Sequence, residues 1–138
     1  MATSELIYEG ELRCKATHLQ SDSIIVTDAP TDNQGKGQAF SPTDLLATSL
    51  GVCMLTIMGI EANKHNVNID GAKISITKYM GTEPRRVIKI GVEAQIPNRN
   101  LSDRQKAALI EAGINCPVAK SLHPDLIQDV NIHYFLEV

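Results

Sequence analysis

Hydrophobic and polar residues trade places along the chain in two rhythms, and the changes of rhythm mark out the elements. Between Leu6 and Val26 the period is two: Leu12, Cys14, Ala16 and His18 alternate with Arg13, Lys15 and Thr17, and Ile24-Ile25-Val26 is a β-branched run. Alternation and β-branching both suit pleated backbone, so two or three short strands are predicted there. Residues 28–40 hold proline, glycine and Asn33 with no period, which predicts an exposed loop. Ser41 then offers an N-cap, Pro42 an N1 residue and Asp44 an acid at N3, together a helix start. The helix predicted from Pro42 to about Lys64 has no charge between Leu45 and Ile60 and is apolar on nearly every face. Such a helix is expected to be buried on all sides, at the centre of the fold.

Alternation resumes with Ala72, Ile74 and Ile76, and again with Ile88, Ile90, Val92, Ala94 and Ile96. The Gly81-Thr82-Glu83-Pro84 turn between the two runs predicts an antiparallel hairpin. Ser102-Asp103-Arg104-Gln105 opens an amphipathic helix carrying Ala107, Ala108 and Ile110, which Gly113 is expected to end or kink. Pro117, at N1, starts a new helical turn directly after Cys116 that runs to about Leu122. Val130, Ile132, Tyr134, Leu136 and Val138 alternate as a closing strand. The order predicts one α+β domain over residues 1–138, an antiparallel sheet packed on a long buried central helix and a second, broken helix.

Composition and charge narrow the function. A hydrophobic fraction of 43% with 21% charged residues fits a globular chain, and with aromatics at 4% the core must be aliphatic. The net charge is −3 and the lysines and arginines are scattered, so a nucleic-acid partner is not expected. Met1-Ala2-Thr3-Ser4-Glu5 lacks the basic start and apolar core of a signal peptide, and no apolar run is read as approaching the about 18 residues of a membrane span. A cytoplasmic protein without a membrane partner is expected. Three cysteines suit no secreted disulfide framework. Neither CxxC nor HExxH occurs and the four histidines are dispersed, so no metal and no cofactor are expected.

Thiol chemistry is the class left open. A thiol peroxidase needs a thiolate, a group that stabilises it, and a second thiol that captures the sulfenic acid. Cys116 sits at the start of a predicted helical turn, where unpaired N–H groups favour a thiolate. Cys53 lies mid-helix, where Leu50, Met54 and Ile57 would raise its pKa unless a cation or hydrogen-bond donor opposed them. Taken singly, a free cysteine is more often an inert small hydrophobe than a nucleophile. Cys14, on the strand face of Leu12 and Ala16, reads as such a core residue.

What sets the other two apart is a resemblance. The segment from Ser41-Pro42-Thr43-Asp44-Leu45 to Gly51-Val52-Cys53 resembles the "NPEEL…AACF" helix of the OsmC and organic-hydroperoxide-resistance family. Cys116-Pro117-Val118-Ala119-Lys120-Ser121-Leu122 is similar to its second motif, "CPVS", and the two occur in the family's order. The order of strands and helices is also similar, from about Tyr8 onward. The resemblance implies a peroxidatic Cys53 and a resolving Cys116 in an intertwined homodimer with its sites at the subunit interface. It further implies an organic or fatty-acid hydroperoxide as substrate and an external dithiol as reductant.

The chain departs from the family at the activating groups. The family's peroxidases carry a glutamate ten residues before the first cysteine, paired with an arginine; here that position is Thr43. Asp44, one residue later, would lie roughly 13 Å from Cys53 and on the opposite face of a continuous helix. It would act on the thiol only across a dimer contact or through a loop, and capping its own helix is the simpler role. No arginine occurs between Arg13 and Arg85, so Arg13 is the candidate activating residue, with a solvated strand position as the alternative. Two expectations follow: a hydroperoxide reductase using Cys53, Cys116, Arg13 and Asp44, or a non-catalytic dimer of the same fold that binds an apolar small molecule or senses oxidation.

Overall fold

A computed structural model of the chain describes residues 1–137. The elements run β1 (Ser4–Gly10), β2 (Arg13–His18), β3 (Ile24–Asp28), α1 (Pro42–Lys64), β4 (Lys73–Gly81), β5 (Arg86–Pro97), α2 (Asp103–Ile114), α3 (Pro117–Ser121) and β6 (Ile127–Phe135), with a 3-10 turn at Thr31–Asn33. They form two compact units, Met1–Leu46 and Ala47–Val138.

The first unit is an antiparallel meander in the order β1-β2-β3. Glu11 and Leu12 turn the chain from β1 to β2 with φ of 52° and 64°. Positive φ at both central residues is the hairpin geometry whose twist matches that of the strands. Leu12, expected on a strand face with Cys14, is therefore a turn residue, and its amide donates to Tyr8 Oη at 3.2 Å. Leu6, Ile7, Tyr8, Ile24 and Ile25 are exposed on this sheet. Helix α1 opens in the same unit. The Asp44 amide donates to Ser41 Oγ at 3.0 Å and the Ser41 amide donates to Asp44 Oδ2 at 3.0 Å, a reciprocal cap.

In the second unit β4 and β5 form the antiparallel hairpin predicted, but β6 lies parallel to β5, from Lys89 beside Ile127 to Pro97 beside Phe135. The sheet is mixed, not antiparallel throughout. Two helices separate β5 from β6, and that crossover returns the chain to the end of the sheet where β5 began. Leu50, Met54 and Met58 of α1 share the core with Ile90, Val92 and Ile96 of β5. Gly51 permits the approach, because a Cβ there would stand 3.0 Å from Ile76 Cδ1 and 3.1 Å from Ile74 Cγ2.

Several sequence expectations change in detail. Helix α1 is not buried on all sides: Ala47, Leu50, Gly51, Met54, Met58 and Ala62 are buried, while Val52 is 59% exposed and Leu46 and Ile60 are also open. Its buried residues belong to the apolar clusters of the second unit. Contrary to the reading that no run approaches a membrane span, α1 is long and apolar enough to cross one by length and composition. It is nonetheless a core helix, with its buried residues packed into the second unit. Ile88, expected inside, is 42% exposed, and Val87 takes the buried place, because the register with β4 shifts between Tyr79 and Met80.

Helix α2 opens on the expected box, Gln105 N donating to Ser102 Oγ at 3.1 Å and Ser102 N to Gln105 Oε1 at 2.9 Å. Leu109, not Ala107, is its buried apolar residue. Gly113 does not end the helix, which runs on to Ile114; an added Cβ at that position would meet Met58 Cγ and Sδ at 3.0 Å. In β6, Val130, Ile132 and Tyr134 alternate with exposed residues, Leu136 lies beyond the strand and is exposed, and Val138 lies outside the described residues.

Candidate functional site

Two thiols of the second unit share one apolar cluster. Helix α1 carries Cys53 between Leu50 and Met54, and the break between α2 and α3 makes Cys116 the N-cap of α3, with extended backbone (φ −64°, ψ 157°). The Cys116 amide donates to Gly113 O at 3.2 Å and its carbonyl accepts from Lys120 N at 3.2 Å, which fixes the residue from both sides. Cys116 is 0% exposed in a cluster with Leu50, Met54 and Ile90, and the partly buried Cys53 packs against the same cluster. Both are free thiols.

Burial pushes the Cys116 thiol above the ordinary cysteine pKa; the Ala119 and Val118 amides pull it back, and the hydrogen bond and charge of Cys53 push it up again. The helix-start effect expected to favour a thiolate at Cys116 is therefore present but outweighed. Desolvation penalises the charged form, and a thiolate on Cys53 penalises a second one beside it.

The first unit holds a second constellation. Arg13 Nε donates to Asp28 Oδ1 at 2.7 Å and Arg13 Nη2 to Asp28 Oδ2 at 2.8 Å, a two-pronged ion pair. Gln38 completes it, its side-chain oxygen accepting from Arg13 Nη2 at 3.1 Å and its amide donating to Asp28 Oδ2 at 3.1 Å. Arg13 is thus a strand residue held in an ion pair, with its side chain 34% exposed. Its hydrogen bonds hold the Asp28 carboxyl below the usual aspartate pKa against the opposing effect of burial. The absence of a period over residues 28–40 places Asp28 in a loop, whereas it is the last residue of β3. The hairpin register contained the signal: pairing Thr17 with Ile24 and Lys15 with Val26 brings Asp28 opposite Arg13.

Asp44 faces its own helix start, accepting from the Ser41 amide, and Thr43 Oγ1 lies 3.3 Å from Ser41 Oγ. The structure thus places Cys53 and Cys116 against one apolar cluster, bonds Arg13 to Asp28, and bonds Asp44 to Ser41. Cys14 is half-buried on β2, paired with Tyr8 and Thr27. His123, on the surface, accepts from the Asp125 amide at 3.0 Å. Among the described residues no group of three or more His, Cys, Asp or Glu side chains is arranged to hold a metal ion. A polar hollow of about 470 Å³ beside the end of α1, reached by Asn63, Asn68 and Asp70, contains no cysteine in its lining.

Comparison with known proteins supplies the context for this geometry. The family model described as OsmC-like protein matches residues 35–129. A candidate osmotic stress induced and detoxification response protein of Psychrobacter arcticus 273-4 is 51% identical, with a TM-score of 0.92 over 96% of both chains. An organic hydroperoxide resistance protein of Legionella pneumophila superposes with a TM-score of 0.68 at 17% identity over 97% of both chains. One from Bacillus subtilis does so with a TM-score of 0.60 at 18% identity, over 97% of this chain and 98% of that one. At 17% and 18% identity the likeness is one of fold. No curated protein matches the sequence significantly.

Proposed function

The chain belongs to the OsmC-like protein family, and from that premise we propose that it is a cytoplasmic, cysteine-based peroxidase that reduces organic and fatty-acid hydroperoxides as an intertwined homodimer, each chain acting as a single domain. The observation that carries the reading is the sharing of one apolar cluster by Cys53 and Cys116. The Cys53 thiolate attacks the terminal peroxide oxygen; the O–O bond breaks, and the alkoxide leaves and is protonated to the alcohol. The Cys116 sulfur then attacks the Cys53 sulfenic acid, forming an S–S bond and breaking the S–O bond, and the Cys116 proton leaves with the hydroxyl as water. An external dithiol reduces the disulfide by exchange and is itself oxidised.

The apolar surroundings suit a hydrophobic substrate. Arg13 is assigned the positive charge that favours the thiolate, and Asp44 the setting of the first turn of α1. Support for the dimer comes from the exposed apolar residues of the first sheet and of α1, which are more numerous than isolated surface residues require.

Hydroperoxide consumption with a dithiol reductant tests the proposal. Turnover by the wild type, abolished in Cys53→Ser and stalled after the first chemical event in Cys116→Ser, is the expected result. No turnover with any hydroperoxide overturns it and leaves the second reading, a non-catalytic dimer that binds an apolar small molecule or senses oxidation. Thr43 in place of the family glutamate is the feature that favours that reading. Intact mass after one equivalent of oxidant shows separately whether Cys53 and Cys116 join.

A further inference from the structure

We propose that Asp70-Gly71, in the turn between α1 and β4, is a site of backbone modification: the Asp70 carboxyl closes on the Gly71 nitrogen to a succinimide that opens to isoaspartate, which a carboxyl methyltransferase recognises. The chain contains one Asp-Gly pair and no Asn-Gly. Glycine alone carries no side chain to shield its amide nitrogen from the carboxyl before it. The fold requires glycine here. Ala72 N donates to Ile69 O at 3.0 Å, closing a β-turn with Asp70 and Gly71 at its centre, and Gly71 has a φ of 90°. A positive φ at the third position is the mark of a type II turn, and a residue with a side chain is strained there. The demand for glycine is thus what leaves Asp70 beside an unshielded amide.

Both reacting groups are uncommitted. Asp70 is exposed, its carboxylate has no hydrogen-bond partner among the described residues, and it borders the polar hollow at the end of α1. The Gly71 amide also has no acceptor among the described residues, and nothing lies within 4 Å of where a Cβ would stand. One turn bond has to open for the nitrogen to reach Cγ, and local opening of an exposed turn costs far less than global unfolding. In the closing step the Gly71 N–H and the Asp70 C–OH bonds break, an N–C bond forms, and water leaves. Water then cleaves one of the two imide bonds. Cleavage at the Asp70 main-chain carbonyl carries the backbone through the side chain, one methylene longer, with a free α-carboxylate. Methyl transfer to that carboxylate from the sulfonium of S-adenosylmethionine gives an ester, and the Gly71 nitrogen displaces methanol from it to restore the succinimide. The added methylene adjoins Ile69, which is 8% exposed and packed in the core cluster of Met58, Ile96 and Leu109.

The test ages full-length wild type, Asp70→Glu, Asp70→Asn and Gly71→Ala under native conditions at physiological temperature. Peptide maps and methyl transfer from labelled S-adenosylmethionine by an isoaspartyl methyltransferase are then followed with time. Wild type should gain a peptide lighter by one water, then an isoaspartyl form of unchanged mass at residue 70, and accept one methyl group per modified chain. Asp70→Glu, whose longer side chain closes a less favourable ring, and Gly71→Ala should stay at the background of the other acidic residues. Asp70→Asn, which loses ammonia in place of water, should gain isoaspartate several-fold faster than wild type. The modified fraction of wild type should also unfold at a lower temperature than Asp70→Glu aged alike, because the main chain beside Ile69 has lengthened. Native wild type that forms isoaspartate only at other residues, or no faster at residue 70 than Asp70→Glu methylates, overturns the inference. Gly71→Ala is strained at its positive φ; if it does not fold, Asp70→Glu and Asp70→Asn carry the comparison, and equal rates in the two count against the site. Hydroperoxide turnover enters none of these measurements.

Discussion

Tyr134 on β6 donates its hydroxyl hydrogen to Lys106 O at 2.8 Å, and burial pushes its pKa up to about 12. The unfolded chain ionises first, near the ordinary tyrosine value of about 10. Its contribution to stability is therefore intact below about pH 10 and is lost as the pH climbs toward about 12. Urea titrations across that range should show the loss in wild type and not in Tyr134→Phe, which forgoes about 1 kcal/mol of hydrogen bonding at neutral pH. Asp28 behaves with the opposite sign. Its lowered pKa means that its contribution is present above the ordinary aspartate range and disappears on acidification below it. Cys116 behaves like Tyr134: native alkylation should label it more slowly than Cys53 at every pH from about 7 to 9, since its thiol is buried and raised. At this scale the sequence revealed which thiols to watch through their two motifs. It did not reveal how they ionise, because desolvation and a neighbour from a distant stretch of chain decide that. Nor did it reveal Asp28, whose meaning depends on a register two strands wide.

Helix starts were the most legible elements, because capping is local chemistry. Ser41 with Asp44 and Ser102 with Gln105 form the predicted reciprocal bonds. Replacing the buried Ser41 by alanine should cost about 1 kcal/mol of stability, read from the midpoint of chemical denaturation. Gly51→Ala tests a feature that no local pattern shows. The new methyl would gain about 1 kcal/mol of helix propensity but overpack Ile74 and Ile76, at a typical cost of about 1–3 kcal/mol. A net destabilisation of up to about 2 kcal/mol is expected, and a stabilised variant would show that β4 yields easily. Strand direction was illegible, since alternation reads the same along a parallel or an antiparallel neighbour. The bulge beside Ile88 was hidden as well: one extra residue reverses which side chains face the core, and Val87 and Ile88 are equally apolar.

The α+β architecture, the chain of elements and the two motifs could be read from one sequence, but the openness of α1 could not. A helix without charges looks the same whether its own chain or a second one covers it. Val52 and Ile60 on α1 and Ile7 and Ile25 on the first sheet are exposed in the isolated chain. Light scattering should give twice the chain mass, and Val52→Glu should shift the population toward single chains; a wild-type monomer at high concentration would remove the dimer from the proposal. The parallel alignment of β5 and β6 has one further outcome. It obliges residues 98–126 to arch over the sheet, and Cys116 rides on that arch. A covalent tie from there to Cys53 would enclose a loop of about 60 residues and, by polymer entropy, add about 4 kcal/mol to stability. The spent, oxidised protein should then melt at a higher temperature than the reduced one, and whatever dithiol recharges it must work against a clasp that the topology itself tightens.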